Sequence, residues 1–435
     1  MRDFFKKLRK DVKGNVFLLA GAGTIALVGG AGLGVDTVQW YLWKRQLQQA
    51  VDSSAMAGGQ ALSQGRSYTT AATKELNRNR DNSISTGFNL VSMTSPPASG
   101  AFAGNTRAVE VIATVNNNLP FSSLFINIAP TIQARAVATT LTDGEFCLYS
   151  LAPTGVGINI AGTVNVALGC GINANSGGLT AVDFDGGGHL SGSPVAAHGG
   201  IDYTSTNVDP GTQIQSYGPV QDDPLAGLYN MSDIPSSANG CDATNIHILP
   251  HQNITLSPDA DGYKRICNGI FVQGDLTLNP GVYIIDGGSF RVNSTASIYG
   301  EGVTIILTGN SAATVATVDM QGGAHIELRA PTAVDDPAFI ATSWYGMLLF
   351  QDPTANTSTI TNSNRFAGDS VSDYDGIVYM PKANVTLTGS TGMTAQCLKL
   401  VSFRIAITGE ANIGNNCPAE VTGVNTGARI VRLVE

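Results

Sequence analysis

Few side chains in this sequence are placed to do covalent or acid–base chemistry, and the clearest set is the cysteines. Cys147, Cys170, Cys241, Cys267, Cys397 and Cys417 fall into three close couples. An even number on what reads as the exported side of a membrane argues for disulfides. The couples 147–170, 241–267 and 397–417 are preferred over the other pairings because each closes one local loop. No C-x-x-C occurs, so neither a zinc ligand set nor a redox dithiol is expected. Asp183 and Asp185, with His189 beyond, could form a carboxylate pair of the kind glycosidases use. However, Asp183-Phe184-Asp185-Gly186-Gly187-Gly188 reads better as a polar turn leaving a strand. Asp222-Asp223 and Asp335-Asp336 precede prolines, which places them in loops. His247 and His251 flank Ile248-Leu249-Pro250, which argues against a helical metal face; His189, His198 and His325 are isolated. No metal or other cofactor is expected. Asp81-Asn82-Ser83-Ile84-Ser85 matches a D-x-S-x-S metal signature, but Asn77-Arg78-Asn79-Arg80 precedes it where an apolar strand is required. Without a convergent set of acids and bases, catalysis is not expected.

The elements carrying these residues are mostly short strands. From 145 to 435, β-rich runs broken by Gly and Asn follow one another: Gly157–Ile160, Ile246–Leu249, Gly281–Ile285, Val303–Leu307, Gly376–Met380 and Arg404–Thr408 are examples. Helix signals are almost absent. Val303-Thr304-Ile305-Ile306-Leu307-Thr308-Gly309, Val385-Thr386-Leu387-Thr388-Gly389 and Ile405-Ala406-Ile407-Thr408-Gly409 share a texture. That texture predicts a right-handed parallel β-helix, each coil stacking on the last, with about 25 residues per coil. A sandwich or barrel is the alternative, yet Asn239-Gly240 and Asn268-Gly269 do not sit between matched strands. In the β-helix reading the disulfides lock coils or caps. Segment 331–375, with its prolines, threonines and asparagines, reads as loops projecting from the stack.

Residues 63–144 read as a small α+β module. Tyr68–Arg80 is expected as a helix, and Ala108–Val115, Leu119–Phe125 and Thr131–Leu141 as strands; Ser95–Gly100 is a turn. The fold class is thus α+β, mainly β.

The N-terminal segment has a different physical character. Arg2, Lys6, Lys7, Arg9, Lys10 and Lys13 form a basic tail over 1–13, and an uncharged stretch runs from Gly14 to Val35. A stretch of about 20 apolar residues matches a hydrocarbon core of roughly 30 Å. A transmembrane helix is therefore expected over 14–40, its helix continuing to about 62. A cleaved signal peptide has a shorter apolar core with a nearby A-x-A site; here Ala55-Met56-Ala57 lies far past the run, so an anchor is expected. The excess of Lys and Arg before the span puts the N-terminus in the cytoplasm and the rest outside. Trp40, Tyr41 and Trp43 suit the outer interface. Gly30-x-x-x-Gly34 offers a small face for a partner helix. Beyond the span, Leu42, Leu47, Val51, Ala55 and Leu62 give one apolar helical face, with Gly58-Gly59 as the point of interruption.

Gly14-Asn15, the apolar run, Gly34-Val35-Asp36, and then Arg45-x-Leu47-Gln48-x-Ala50-x-Asp52-x-x-Ala55 together resemble the N-terminal segment of TadE/TadG-like proteins of Flp (tight adherence) pilus assembly, the TadG-like branch fitting best. The resemblance covers about the first 60 residues. It implies a single-pass protein of the bacterial cytoplasmic membrane whose helix meets pilus-assembly or pseudopilin-like partners. Gly30, Gly34, Asp36, Arg45, Leu47, Gln48 and Asp52 are the candidate contact residues. Prepilin-peptidase substrates carry a Glu as the fifth residue after the cleaved Gly. Counted from Gly14 that position is Leu19, so an uncleaved chain is expected.

Composition narrows the partners. Charged residues make up only 13% and the formal net charge is −9, with no basic patch interleaved with aromatics, so nucleic acid is not an expected partner. The expected role is a non-catalytic, membrane-anchored pilus-assembly component. An envelope- or glycan-binding module is the second reading, and a polysaccharide-acting β-helix enzyme the third.

Overall fold

The structure is a computed structural model. It describes residues 14–63, 65–81, 88–125, 129–162, 164–235, 240–356, 364–369, 372–389, 393–395, 397–409, 411–413, 417 and 427–435. These form two bodies, Met1–Leu141 with Arg429–Glu435, and Thr142–Ala428. The β domain expected to run through 435 thus ends at 428, and the last residues fold with the first body.

In the first body, α1 (Gly14–Ser63) and α2 (Tyr68–Asp81) accompany an antiparallel sheet of β1 (Phe88–Thr94), β2 (Ala108–Asn116) and the portion of β3 (Thr131–Ser150) up to Leu141. β2 is central, pairing Phe88 with Val115 on one side and Val115 with Ile132 on the other. Alternation decides which face is covered: Val109, Val111, Ala113 and Val115 of β2, with Ile132, Ala134, Ala136 and Ala138 of β3, pack against Leu47, Ala50, Val51 and Ala55 of α1 and Ala72 and Leu76 of α2. The row of alanines in β3 lets a helix backbone approach closely. Gly58 and Gly59 serve the same end and do not interrupt α1. A Cβ on Gly59 would lie 2.8 Å from Val431, and one on Gly58 3.0 Å from Val109. The final residues pair beside β3: Val137 donates its N–H to the Glu435 carbonyl at 2.8 Å and accepts from Val434 at 2.9 Å.

Two local expectations change. Leu119–Phe125 is not a strand; Ser122–Leu124 is a short 3₁₀ helix. Pro120 has no N–H to give a ladder, and α1 takes the next two. Trp43 is buried in the core, whereas Trp40 and Tyr41 remain exposed.

The second body is built from parallel ladders running in three rows. One row follows the strands Asn253–Leu256, Asp275–Leu278, Ser297–Glu301, His325–Arg329, Asp373–Gly389, Met393–Ala395, Ala411–Ile413, Asn165–Leu168 and His189–Ser191. Its inward side chains include Leu276, Ile298, Ile326, Val166 and Leu190, all in one continuous apolar core. The expected loop segment 331–375 also contributes two rungs, Met347–Gln351 and Asn364–Gly368. Met347-Leu348-Leu349-Phe350 is an apolar run hidden between turn-rich flanks. Asn268 and Gly269, with φ of 62° and 88°, make a corner rather than a hairpin: residues before them pair with Gly281–Asp286 and residues after them with Ser289–Val292. A left-handed conformation there suits Asn and Gly.

The order of the rungs is not the order of the chain. The rung containing Leu398–Ile407 pairs with Leu148–Ser150 and Ile158–Ile160. The chain enters mid-stack, winds to one end near Gln215, then crosses to the other end and winds back. Residues 216–235 and 240–242 make that crossing along the outside. Gly218 donates to the Ala197 carbonyl, Gln221 and Asn175 exchange hydrogen bonds, the Tyr149 hydroxyl donates to the Asp222 carbonyl at 3.0 Å, and the Tyr379 hydroxyl to the Asp223 carboxylate at 2.8 Å. Further on, Tyr229 stacks on Trp344 at 5.8 Å, Tyr263 donates to the Asp233 carbonyl, and Arg265 to the Pro235 carbonyl while pairing with Asp286 at 2.6 Å. This strap lies along strands such as Gly281–Asp286 and Val303–Thr308, which are buried on both faces.

Candidate functional site

The apolar part of α1 stands apart from the core. Ile25, Leu27, Val28, Leu33, Val35 and Val38 are exposed, and over Ala20–Ser63 the helix is long and apolar enough to cross a membrane. Of the residues expected to contact partners, Gly30 and Gly34 have nothing within 4 Å of a would-be Cβ. Arg45 is exposed.

The others turn inward. Leu47 is fully buried. The Gln48 amide donates to Asp52 at 2.7 Å and to the Arg135 carbonyl at 3.1 Å, holding the helix to β3. Asp36 is buried, its Oδ1 accepting the Phe121 N–H at 2.8 Å and its Oδ2 the Ser122 N–H at 2.6 Å and the Ser122 hydroxyl. Within the expected span the packed glycine is Gly32, against which the Phe121 ring lies so closely that a Cβ would overlap it. Sequence reasoning missed this pair. The only signal was Pro120-Phe121, which marks a loop in an apolar stretch.

Below the sheet, Glu110 accepts from Arg135 Nε at 2.5 Å, and Arg135 also pairs with Glu435 and donates to the Ser99 carbonyl at 2.7 Å. Hydrogen bonding to Arg135, helped by the Ala101 N–H, holds the Glu435 carboxyl below the usual carboxylate range.

The second body carries an open groove of about 620 Å³. Tyr299, Glu301, Glu327, Arg329, Asp373 and Asp375 line it, with Asn279 at its edge. In-register pairing brings them together, since Glu327 stands opposite Asp373 and Arg329 opposite Asp375. Arg329 forms a two-pronged pair with Asp336 at 2.9 and 3.1 Å. Burial, then the neighbouring Asp375 and Glu327, push the Asp373 carboxyl up to about 6. A carboxyl poised there can exchange a proton near neutral pH. Among the described residues no group of three His, Cys, Asp or Glu is arranged to hold a metal ion.

Of the sequence candidates for acid–base work, Asp183 and Asp185 come together, with Asp202 opposite Asp183 in register. Asp183 and Asp185 share an outward face of Val182–Asp185; burial, then Asp202 and Asp185, raise the Asp183 carboxyl. His189 instead contacts Asn165 at 3.3 Å and Asp209 at 3.4 Å. His247 stacks on Phe271 and meets Gln273 at 3.0 Å. Asp81 closes α2, while residues 82–85 of the D-x-S-x-S match lie outside the described residues. The cysteines pair as 147–170, 241–267 and 397–417, with Cα–Cα distances of 5.7, 5.8 and 4.8 Å.

Compared with known proteins, residues 14–61 match the Flp pilus-assembly TadE/G-like family model. No curated protein and no solved structure matches the chain. The matched span begins where α1 begins and ends where α1 has packed onto its sheet, so an exposed apolar stretch and an inward-turned motif fall in one family segment. Over residues 14–61, and there alone, the chain is similar to the TadE/G-like family of Flp pilus assembly.

Proposed function

We propose that the protein is a non-catalytic, single-pass membrane component of Flp-type pilus assembly, TadG-like in having a large β-rich body after its helix. The observation that carries this reading is the coincidence of the family match with a helix whose apolar residues are exposed. The anchor is held in the cytoplasmic membrane with its basic N-terminus inside, as the distribution of Lys and Arg favours. Three disulfides suit a body on the oxidising side. The three-row stack is read as a right-handed parallel β-helix, a rigid body suited to reaching partners beyond the membrane.

Gly30 and Gly34, open within the chain, form the face for a partner helix. Co-purification from native membranes tests this. A Gly30→Leu/Gly34→Leu chain is expected to fold but lose pilus-assembly proteins, and retained association would remove these glycines from the contact. Alkaline phosphatase fused after the helix is expected to be active; an inactive fusion overturns the orientation.

A second reading attaches to the groove of Tyr299, Glu327 and Asp373, whose mixture of one ring and several carboxylates suits contact with an envelope glycan. Binding to purified peptidoglycan that is lost in Tyr299→Ala supports it. Release of reducing ends that stops in Asp373→Asn would move the protein to an enzyme.

A further inference from the structure

Two large apolar side chains beside the membrane helix have no cover. Leu124 is 74% exposed and Phe125 75% exposed, and both belong to the loop that Asp36 pins to α1. Phe121 faces inward onto Gly32, so the loop is fixed at a definite height on the helix. With about 1.5 Å of rise per residue, Gly32 lies roughly 12 Å along the axis from Trp40. Trp40 and Tyr41 are exposed where an interfacial aromatic belt is expected. The loop therefore sits on the membrane side of that belt.

Its backbone is prepared for an apolar medium. Pro120 has no N–H. Phe121 and Ser122 donate theirs to Asp36, Ser123 to the Leu119 carbonyl at 3.1 Å, Leu124 to the Phe121 carbonyl at 3.1 Å and Phe125 to the Ser122 carbonyl at 2.9 Å. Every backbone donor from 120 to 125 is satisfied inside the chain, and the two large side chains that face outward, Leu124 and Phe125, are hydrocarbon. A loop at membrane depth needs its donors satisfied within the chain, because no water is there to take them. Asp36 is satisfied by the same contacts: a carboxylate at this depth needs donors, and the loop supplies three.

We propose that the loop around Leu124 and Phe125 inserts into the leaflet on the Trp40 side of the same membrane that α1 crosses, a second membrane contact that fixes the depth and rotation of the helix. The occupant is lipid acyl chain, since the patch is continuous with the exposed apolar stretch of α1 and carries no charge. The proposal rests on the reading of α1 as a membrane span.

The test uses the full chain reconstituted into phosphatidylethanolamine–phosphatidylglycerol liposomes containing lipid brominated on its acyl chains. The chain has no free cysteine, so a single added cysteine can carry an environment-sensitive dye. Dyes at Phe125→Cys and, in a separate chain, Leu124→Cys are expected to lose most of their emission to the brominated lipid. Dye at Leu27→Cys should do the same, and dye at Val334→Cys, exposed in the other body, should not. Quenching at 27 without quenching at 124 or 125 overturns the inference and leaves the membrane span standing. Blue-shifted but unquenched emission at 125 also overturns it, by showing a protein surface there. Absence of quenching at 27 overturns the span and the inference with it.

Discussion

Leu400 stands opposite Leu148 in a parallel ladder, and both side chains are buried. Rungs that close the winding of the second body thereby pack on the rungs that began it. The stack cannot be completed by adding each coil to the last, because the entry coil waits for the final one. Leu400→Ala and Leu148→Ala are each expected to cost about 2–5 kcal/mol, and to combine less than additively because they open one shared cavity. Urea unfolding followed by the emission of buried Trp344 measures both. A chain ending before Leu398 is expected to lose protease resistance over Leu148–Gln215, residues it still contains.

Gly32 and Gly30 differ in what surrounds them. Gly32→Ala is expected to drive the Phe121 ring off α1 and weaken the hold of Asp36 on Phe121 and Ser122, while Gly30→Ala is expected to leave them in place. Cleavage by chymotrypsin at Phe121, Leu124 or Phe125 should accelerate in the first variant alone. Equal cleavage in both would remove the role assigned to Gly32.

Glu110 is almost wholly buried and leans on Arg135. Arg135→Met leaves that carboxylate without its cation and is expected to destabilise the first body by about 3–5 kcal/mol. Adding Glu110→Gln should recover part of the loss in a thermal melt. Because the folded Glu435 carboxyl is held down by Arg135, its contribution is present above the ordinary value of 4.5 and is lost as pH falls.

The pH response of Asp373 has the opposite sign. Its folded value of about 6 exceeds the ordinary 3.8, so the folded state holds the proton more tightly. Its effect on stability is least unfavourable below about pH 4 and worsens as pH rises to 6, above which the ionised group stays beside Asp375 and Glu327. Asp373→Asn is expected to raise Tm at pH 7.5 and to change it little at pH 4. A pH-independent difference would show that the carboxyl does not titrate in this window.

Cys241 joins the end of the strap to Cys267 within a rung, closing a loop of sequence separation 26. Cys241→Ser/Cys267→Ser is expected to cost about 3 kcal/mol through the released chain entropy. Proteolysis should then begin within the strap, between 216 and 235. Unchanged cleavage there would mean that Tyr149, Tyr229, Tyr263 and Tyr379 hold the strap without the disulfide.

Much of this was legible locally. The apolar stretch after Gly14, the helical face of Leu47, Val51 and Ala55, and the alternation in Ala108–Val115 state which face is buried, because periodicity depends only on neighbours in sequence. The three cysteine couples were legible because each closes a short loop. What depends on distant pairing was not. Nothing near Leu400 announces Leu148 as its neighbour, nor does Glu327 announce Asp373, since parallel register is chosen by the whole stack. The fate of Asp36 was hidden for the same reason. Sequence marked it as a carboxylate at a membrane boundary, but only the arrival of Phe121 and Ser122, brought by the turn at Pro120, decided that its oxygens are occupied from within the chain. The strap along Gly281–Asp286 was likewise hidden, a crossing whose own residues carry no regular period. Local pattern determined most of the elements, Leu119–Phe125 and the strands within 331–375 excepted; long-range packing decided their order, their cover and the groove between their rungs.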